Sequence, residues 1–102
     1  MSPRFEHTDE LDWNVRRVAK YTTERGELTS YSVTLLARLS GRWQTVRVYD
    51  NAHGVNEMHR HTLSEGKQAA EVFHSGTASE AYNQARDAVA DGYEEMIAGW
   101  LR

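Results

Sequence analysis

A chain of 102 residues with 39% hydrophobic and 26% charged side chains is long enough for one domain, residues 1–102, with one modest core. The formal net charge of −3 resides in residues 77–102, and the neutral remainder has a moderately basic middle that is compatible with a phosphate-containing ligand. The absence of cysteine excludes disulfides and thiolate metal sites, and no apolar run approaches the ~18 residues of a membrane span, so we expect a cytoplasmic protein without a membrane partner.

The first third of the chain predicts a polar segment followed by two strands. Residues 1–12 are polar and acidic, and we expect them to form a loose N-terminal tail. Strand-favouring side chains occupy residues 13–24, and the turn Arg25-Gly26-Glu27 follows them. Residues 31–39 give the clearest strand, because apolar side chains alternate there with smaller or polar ones.

Three further strands are predicted around a central loop. Residues 43–50 alternate, and one face of this strand carries an aromatic and basic set, namely Trp43, Thr45, Arg47 and Tyr49. The segment Asp50-Asn51-Ala52-His53-Gly54 is a loop by its Asx residues and glycine. Residues 57–63 are expected to pair with the strand before the loop, and residues 68–73 to form a short edge strand.

The last segment predicts one long helix. Thr77 stands three residues before Glu80, as in a capping box, and apolar residues then recur at helical spacing. Gly92 lies inside this stripe and should cost about 1 kcal/mol relative to alanine, so we expect it to pack closely against a strand. The predicted architecture is α+β, with an antiparallel sheet of four to five strands and one long C-terminal helix packed on one face.

The candidate site is the strand that contains the sequence His-Arg-His. A spacing of two residues places His59 and His61 on the same face, about 7 Å apart. Two imidazoles at that distance suit general acid and general base catalysis on a phosphodiester. Arg47 or Arg60 would then stabilise the negative charge that develops on phosphorus.

The same histidines suit two other interpretations. They can be two ligands of a divalent metal ion that Asp50 or Glu57 completes, although no HxxxH or HExxH spacing supports a zinc site. The strand can also be a solvent-facing or partner-facing stretch without chemistry. The sequence alone therefore calls for no cofactor.

Four residues near this strand have both a functional and a structural interpretation. Asp50 is either catalytic or part of the turn. Tyr49 either stacks on a base or packs across strands. His53 and Lys67 are candidate substrate ligands, but a loop histidine and an exposed lysine are also ordinary surface residues.

The motif Val48-Tyr49-Asp50-Asn51, followed by Gly54 and Glu57-Met58-His59-Arg60-His61, resembles the TumE-type toxins of prokaryotic toxin–antitoxin modules. The similarity covers roughly residues 46–97. It implies a growth-inhibiting toxin that acts on RNA and is neutralised by a DNA-binding antitoxin encoded beside it. It also implies a functional set carried over by position, namely Tyr49, Asp50, His59, Arg60 and His61, with Gly54 structural. A related group of small actinobacterial proteins that shares only the scaffold is the alternative.

Three functions follow from these patterns. The first is a TumE-like toxin acting as a histidine-based ribonuclease, with the catalytic residues His59, His61, Arg60 and Asp50 and the substrate-binding residues Arg47, Tyr49, His53 and Lys67. The second is a non-catalytic module that forms a homodimer or binds a protein partner through the uncovered sheet face. That face is expected to carry Leu36, Trp43, Arg47 and Tyr49. The third is a metal-dependent hydrolase.

Overall fold

The computed structural model describes residues 2–102, which form one antiparallel sheet and one C-terminal helix. The strands are β1 (Arg4–Asp12), β2 (Val15–Glu24), β3 (Glu27–Leu39), β4 (Arg42–Asp50), β5 (Asn56–Thr62) and β6 (Gly66–His74), and the helix is α1 (Ala78–Leu101). The order of the strands across the sheet is their order along the chain. The predicted α+β class is confirmed, with six strands in place of four to five.

The additional strand is β1, which comes from residues predicted to be a loose tail. It pairs with β2 from Arg4 opposite Thr22 to Asp12 opposite Val15. An ion pair joins the two strands where Nη2 of Arg17 lies 2.8 Å from Oδ2 of Asp9. The prediction was wrong because the acidic side chains of this segment suggested a solvated tail, whereas they lie opposite basic side chains of β2.

Helix α1 covers one face of the sheet, which we call the helix face, and leaves the other, the open face, uncovered. The sheet contributes a buried set to the helix face: Val15, Ala19, Tyr31, Val33, Leu35, Ala37, Val46, Tyr49 and Met58. The helix contributes Ala81, Tyr82, Ala85, Val89, Met96 and Trp100. Alternate residues of β3 are therefore buried, as the period of a strand with one covered face requires.

A capping box begins the helix, and a backbone hydrogen bond joins its other end to the residue that follows β5. The predicted capping box is confirmed: the backbone N–H of Glu80 donates to Oγ1 of Thr77 at 3.1 Å, and that of Thr77 donates to Oε1 of Glu80 at 2.9 Å. At the other end, the N–H of Leu63 donates to the carbonyl of Trp100 at 2.9 Å. Within residues 2–102, no helix is both long and apolar enough to cross a membrane.

A bulge in β4 breaks the alternation that the sequence predicts for this strand. The pairing with β3 passes from Leu35 opposite Arg47 to Leu36 opposite Thr45, so Val46 is the extra residue. Val46 joins the buried core. Side chains on the two sides of the bulge therefore do not all point to the face of the sheet that strict alternation predicts.

The predicted aromatic and basic face of β4 is consequently wrong. Tyr49 is opposite Met58 in the sheet, and it is only 5% exposed beneath the helix. Trp43 lies instead on the open face, where the guanidinium of Arg16 is 4.1 Å from the centre of its ring. The two aromatic residues that were expected to share a face are separated by the bulge.

Gly92 does not pack against a strand, contrary to expectation. A Cβ atom at this position would meet only Cε of Met96, at 3.6 Å, which is an ordinary van der Waals contact. No neighbouring group therefore requires a glycine at this position. The conformational entropy that Gly92 loses in the helix is not offset by closer packing against a strand.

Replacing Gly92 by alanine should stabilise the protein by up to about 1 kcal/mol, because alanine has less conformational freedom to lose in a helix. The measurement is the midpoint of urea unfolding at constant m-value. Gly54→Ala is the matched control and should destabilise, since Gly54 has a φ of +83°. A lower midpoint for Gly92→Ala would contradict the expectation.

Candidate functional site

Two carboxylates and a histidine lie together on the open face where β4 and β5 pair. Asp50 is opposite Glu57, and Val48 is opposite His59. One side-chain ligand atom from each of Asp50, Glu57 and His59 lies within 4.8 Å of the others. We call these three residues the open-face cluster.

His59 is the buried member of the open-face cluster. It is 6% exposed, and its Nε2 lies 3.8 Å from Oδ2 of Asp50, which is too long for a hydrogen bond but suits an ion pair with a protonated ring. Its Nδ1 is buried and has no hydrogen-bond partner within residues 2–102. A buried polar atom of this kind costs free energy, and a catalytic role is one of the recognised reasons for retaining one.

His61 lies beside His59 in a different environment. It is opposite Lys67 of β6. Burial and then the positive charges of Lys67 and His59 lower the pKa of His61, so this imidazole is neutral at pH 7 and can accept a proton. The two histidines therefore differ in their surroundings, since one has a carboxylate beside it and the other has an ammonium group.

The remaining oxygens of the open-face cluster are held by the β4–β5 loop. Nδ1 of His53 lies 2.9 Å from Oε1 of Glu57, and the backbone N–H of Ala52 donates to Oδ1 of Asp50 at 3.0 Å. His53 was predicted as a substrate ligand, and the structure places it next to the carboxylate of Glu57. The second oxygen of Asp50, Oδ2, is the one that lies 3.8 Å from Nε2 of His59.

Two asparagines that the sequence analysis did not assign connect this loop to the rest of the protein. Oδ1 of Asn51 accepts from the N–H of Tyr31 at 3.0 Å, and its Nδ2 donates to the carbonyl of Thr29 at 2.9 Å. Asn56 is buried, and its Oδ1 accepts from the hydroxyl of Tyr31 at 2.9 Å. The sequence signal for these contacts is an asparagine at each end of the loop. Turn chemistry explains Asn51 but not Asn56.

Three of the predicted site residues lie away from the histidines. Arg47 is opposite Arg60, and both share the parity of Tyr49, which belongs to the helix face. Nε of Arg60 lies 3.0 Å from Oε2 of Glu71 at the exposed margin of that face. The structure thus brings Asp50, His59, His61 and Lys67 to one face, with His53 at its edge, and places Arg47, Tyr49 and Arg60 on the other.

A groove of about 650 Å³ adjoins the open-face cluster. Its lining includes Asp50 and several polar residues of the first three strands that the sequence analysis did not single out, among them Arg4, Lys20, Thr22, Ser30 and Ser32. The sequence signal for this surface is the alternation of Ser30, Ser32 and Thr34 along β3, whose meaning depends on knowing which face the helix covers.

The sequence model of one protein family matches residues 2–102. The chain belongs to the DUF7718 family. This family is described as a domain of unknown function, and its match covers the sheet, the helix and the open-face cluster together. Comparisons with curated proteins and with solved structures gave no significant match. Membership of DUF7718 therefore assigns no chemistry to the open-face cluster.

The lowered pKa of His61 should make the protein sensitive to acid. The unfolded chain takes up a proton at this histidine near pH 6.5, whereas the native state does so only at lower pH. Stability contributed by the neutral ring is complete above about pH 6.5 and is lost as the pH falls through the folded pKa. His61→Gln should therefore lose less melting temperature between pH 7.5 and pH 5.5 than the wild type.

Lys67→Gln is a second variant for the same measurement. It removes one of the charges that lower the pKa of His61, so it should show part of the effect of His61→Gln. Thermal melts at three pH values by circular dichroism are sufficient. Identical pH profiles for the wild type and both variants would contradict the assignment of His61 as a neutral, acid-sensitive group.

Proposed function

We propose that the protein cleaves RNA by acid–base catalysis with His59 and His61, as the toxin of a toxin–antitoxin module. The observation that carries this proposal is the contrast between two neighbouring imidazoles on the open face. Asp50 lies beside His59, and Lys67 lies opposite His61. Neighbouring titratable groups in contrasting environments are typical of an acid and a base that act together.

The roles follow from these environments. Neutral His61 accepts the proton of a ribose 2′-hydroxyl as that oxygen attacks the adjacent phosphorus. Protonated His59, paired with the carboxylate of Asp50, donates its proton to the 5′ oxygen as the P–O5′ bond breaks. The products are a 2′,3′-cyclic phosphate and a 5′-hydroxyl, and exchange of protons with water returns both histidines to their starting states.

The cation of the proposed reaction is Lys67. Arg47 and Arg60, the cations predicted for this role, lie on the opposite face from His59. Lys67 is opposite His61 and close enough to influence its pKa. Its charge would stabilise the additional negative charge that the phosphate carries in the transition state.

The biological context of the proposal comes from the motif between Val48 and His61. Its resemblance to TumE-type toxins supports an RNA target, a cytoplasmic site of action and an antitoxin protein as partner. The spacing within the motif also has a structural explanation here, because Asn51 fixes the loop and Asp50 and His59 meet across the hairpin. The same spacing is therefore expected both in a protein that shares only the scaffold of these toxins and in one that also shares their chemistry.

A metal-dependent hydrolase is the second candidate, and the geometry of the open-face cluster favours it. Carboxylate oxygens and an imidazole nitrogen from Asp50, Glu57 and His59 converge within 4.8 Å, and this mixed donor set suits Mn²⁺ or Zn²⁺. In this alternative His59 is a metal ligand and cannot be the general acid. The metal-dependent mechanism therefore predicts that a chelator abolishes activity, whereas the acid–base mechanism predicts that activity persists.

The open face supports a homodimer less well than it supports a ligand. Trp43 is 37% exposed, but the guanidinium of Arg16 lies over its ring. Charged and hydroxyl side chains line the groove, and Val18, Leu36 and Val48 lie beside them on this face. Stable homodimer interfaces are more apolar than the groove, so the groove favours a polar ligand over the interaction-module hypothesis.

The acid–base proposal is tested with a 5′-labelled single-stranded RNA in the presence of EDTA. Cleavage should yield 2′,3′-cyclic phosphate ends, and a single 2′-deoxy substitution should abolish the cut at that position. His59→Ala and His61→Ala should each lower the rate by about 100-fold or more. The matched control is His7→Ala, an exposed histidine of β1, which should keep the wild-type rate. Absence of cleavage, or unchanged rates in both site variants, would refute the proposal.

The metal alternative predicts loss of cleavage in EDTA and recovery on addition of Mn²⁺. Binding of the ion to the native state should also raise the melting temperature with increasing metal concentration. Glu57→Gln, which keeps the size of the side chain and removes its charge, should abolish this shift. The acid–base mechanism instead expects activity in EDTA and no dependence of the rate on Mn²⁺.

A further inference from the structure

The groove on the open face is continuous with the open-face cluster. One transverse row of paired residues crosses five strands: Glu6 is opposite Lys20, Lys20 opposite Ser32, Ser32 opposite Asp50, and Asp50 opposite Glu57. The groove follows this row from β1 and ends at Asp50 and the first residues of the β4–β5 loop. A ligand that lies in the groove therefore reaches Asp50, whose Oδ2 lies 3.8 Å from Nε2 of His59.

The chemistry changes along the groove. Arg4 and Lys20 provide two exposed cations at the β1–β2 end. The hydroxyls of Thr22, Ser30 and Ser32 lie between these cations and the cluster, and the first two are hydrogen-bonded to each other. Cations followed by hydroxyl groups suit a chain of phosphates and sugars, because ammonium and guanidinium groups neutralise phosphate and hydroxyls bond both units.

Lys20 is available for such a ligand. Its Nζ lies 4.0 Å from Oε1 of Glu6, and the side chains are 53% and 61% exposed. Ion pairs with this exposure contribute little to stability and exchange readily with other partners. An incoming phosphate can therefore replace the carboxylate without a large loss.

The aromatic pair beside the groove belongs to the helix face. Phe5 is opposite Tyr21, and Tyr21 is opposite Tyr31, which is buried beneath the helix. The ring of Tyr21 also lies 5.2 Å from that of Tyr82 in the helix. The open-face groove therefore offers cations and hydroxyl groups to a ligand, without an aromatic ring from this pair.

The size of the groove limits the length of the ligand. Adjacent strands are about 4.8 Å apart, so β2 and β4 are separated by about 10 Å and β1 and β4 by about 14 Å. Successive phosphates of a nucleic acid strand are at least about 3.4 Å apart along the axis, so these distances correspond to about two to four nucleotides. The groove is therefore long enough for a short single-stranded segment.

We propose that this groove is the binding site for the single-stranded RNA segment on one side of the cut phosphate. Lys20 and Arg4 bind its phosphates, and Ser30 and Ser32 bind its sugar hydroxyls or phosphate oxygens. The inference rests on the proposed function, which supplies RNA as the ligand. It adds that the bound segment is single-stranded, and it names the residues that bind it.

The test measures binding without cleavage. The probe is a fluorescein-labelled 12-nucleotide RNA with a 2′-O-methyl group on every sugar, which cannot be cleaved through a 2′-hydroxyl. Anisotropy titrations at several NaCl concentrations give Kd and its salt dependence. The double variant Arg4→Ala/Lys20→Ala should bind at least 10-fold more weakly at 50 mM NaCl. Because each phosphate contact to a single strand contributes about 0.7 to the slope of log K against log salt, the slope should fall by about 1.4.

The matched control removes two positive charges from the opposite end of the sheet. Arg38 and Arg42 are exposed at the β3–β4 turn, and Arg38→Ala/Arg42→Ala should bind the probe as the wild type does. Equal weakening in both double variants would mean that net charge alone drives binding, and it would overturn the inference. Ser30→Ala/Ser32→Ala should weaken binding without changing the salt slope.

The outcomes separate the groove from the proposed catalysis. Binding that depends on Arg4 and Lys20, with no cleavage of unmodified RNA, would support the groove and refute the nuclease. Cleavage of RNA with probe binding that is indifferent to the groove variants would refute the groove and leave the nuclease standing. Failure of the wild type to bind the probe at 50 mM NaCl would overturn the inference. Unchanged melting temperatures of the variants establish that the substitutions act on binding.

Discussion

The register of the β4–β5 hairpin, in which Asp50 is opposite Glu57, determines both the core and the candidate site. Because side chains alternate with a period of two, this register places Tyr49 and Met58 beneath the helix and His59 on the open face. A slip of one residue in β5 would turn its apolar side chain to solvent and bring a histidine under the helix. The burial of the core and the assembly of the open-face cluster are thus consequences of one pairing.

Side-chain hydrogen bonds maintain this register at the loop. Asn51 bonds both backbone groups of neighbouring β3, at Tyr31 and Thr29, and so replaces the pairing that β4 loses where it ends. Asn56 begins β5 with its amide group bonded to the carbonyls of His74 and Gly76, which ties the hairpin to the approach of the helix. The motif that resembles the TumE-type toxins therefore includes two asparagines, Asn51 and Asn56, that help to position Asp50 and His59.

The sequence predicts features that depend on residues close together in the chain. The capping box, the strand around Val33 and the shared face of His59 and His61 all follow from spacing within one element. Other features depend on pairing between elements, which spacing does not determine. The bulge at Val46 is set by the fit of β4 against β3, and the pairing of β1 depends on charges of β2 that lie several residues away. The error over Tyr49 follows from the bulge, and the groove went unrecognised because its lining comes from separate strands.

His59 is a position at which the sheet departs from what stability alone would favour. An aliphatic side chain there would fill the same space without leaving a buried nitrogen unpartnered, and it would need no neighbouring carboxylate. Asp50 and Glu57 add to this cost, since they bring two like charges within a few ångströms of each other. A cation bound between the two carboxylates would offset that repulsion. Local departures from stability of this kind are expected at functional sites, which is why the open-face cluster is the basis of the proposed function.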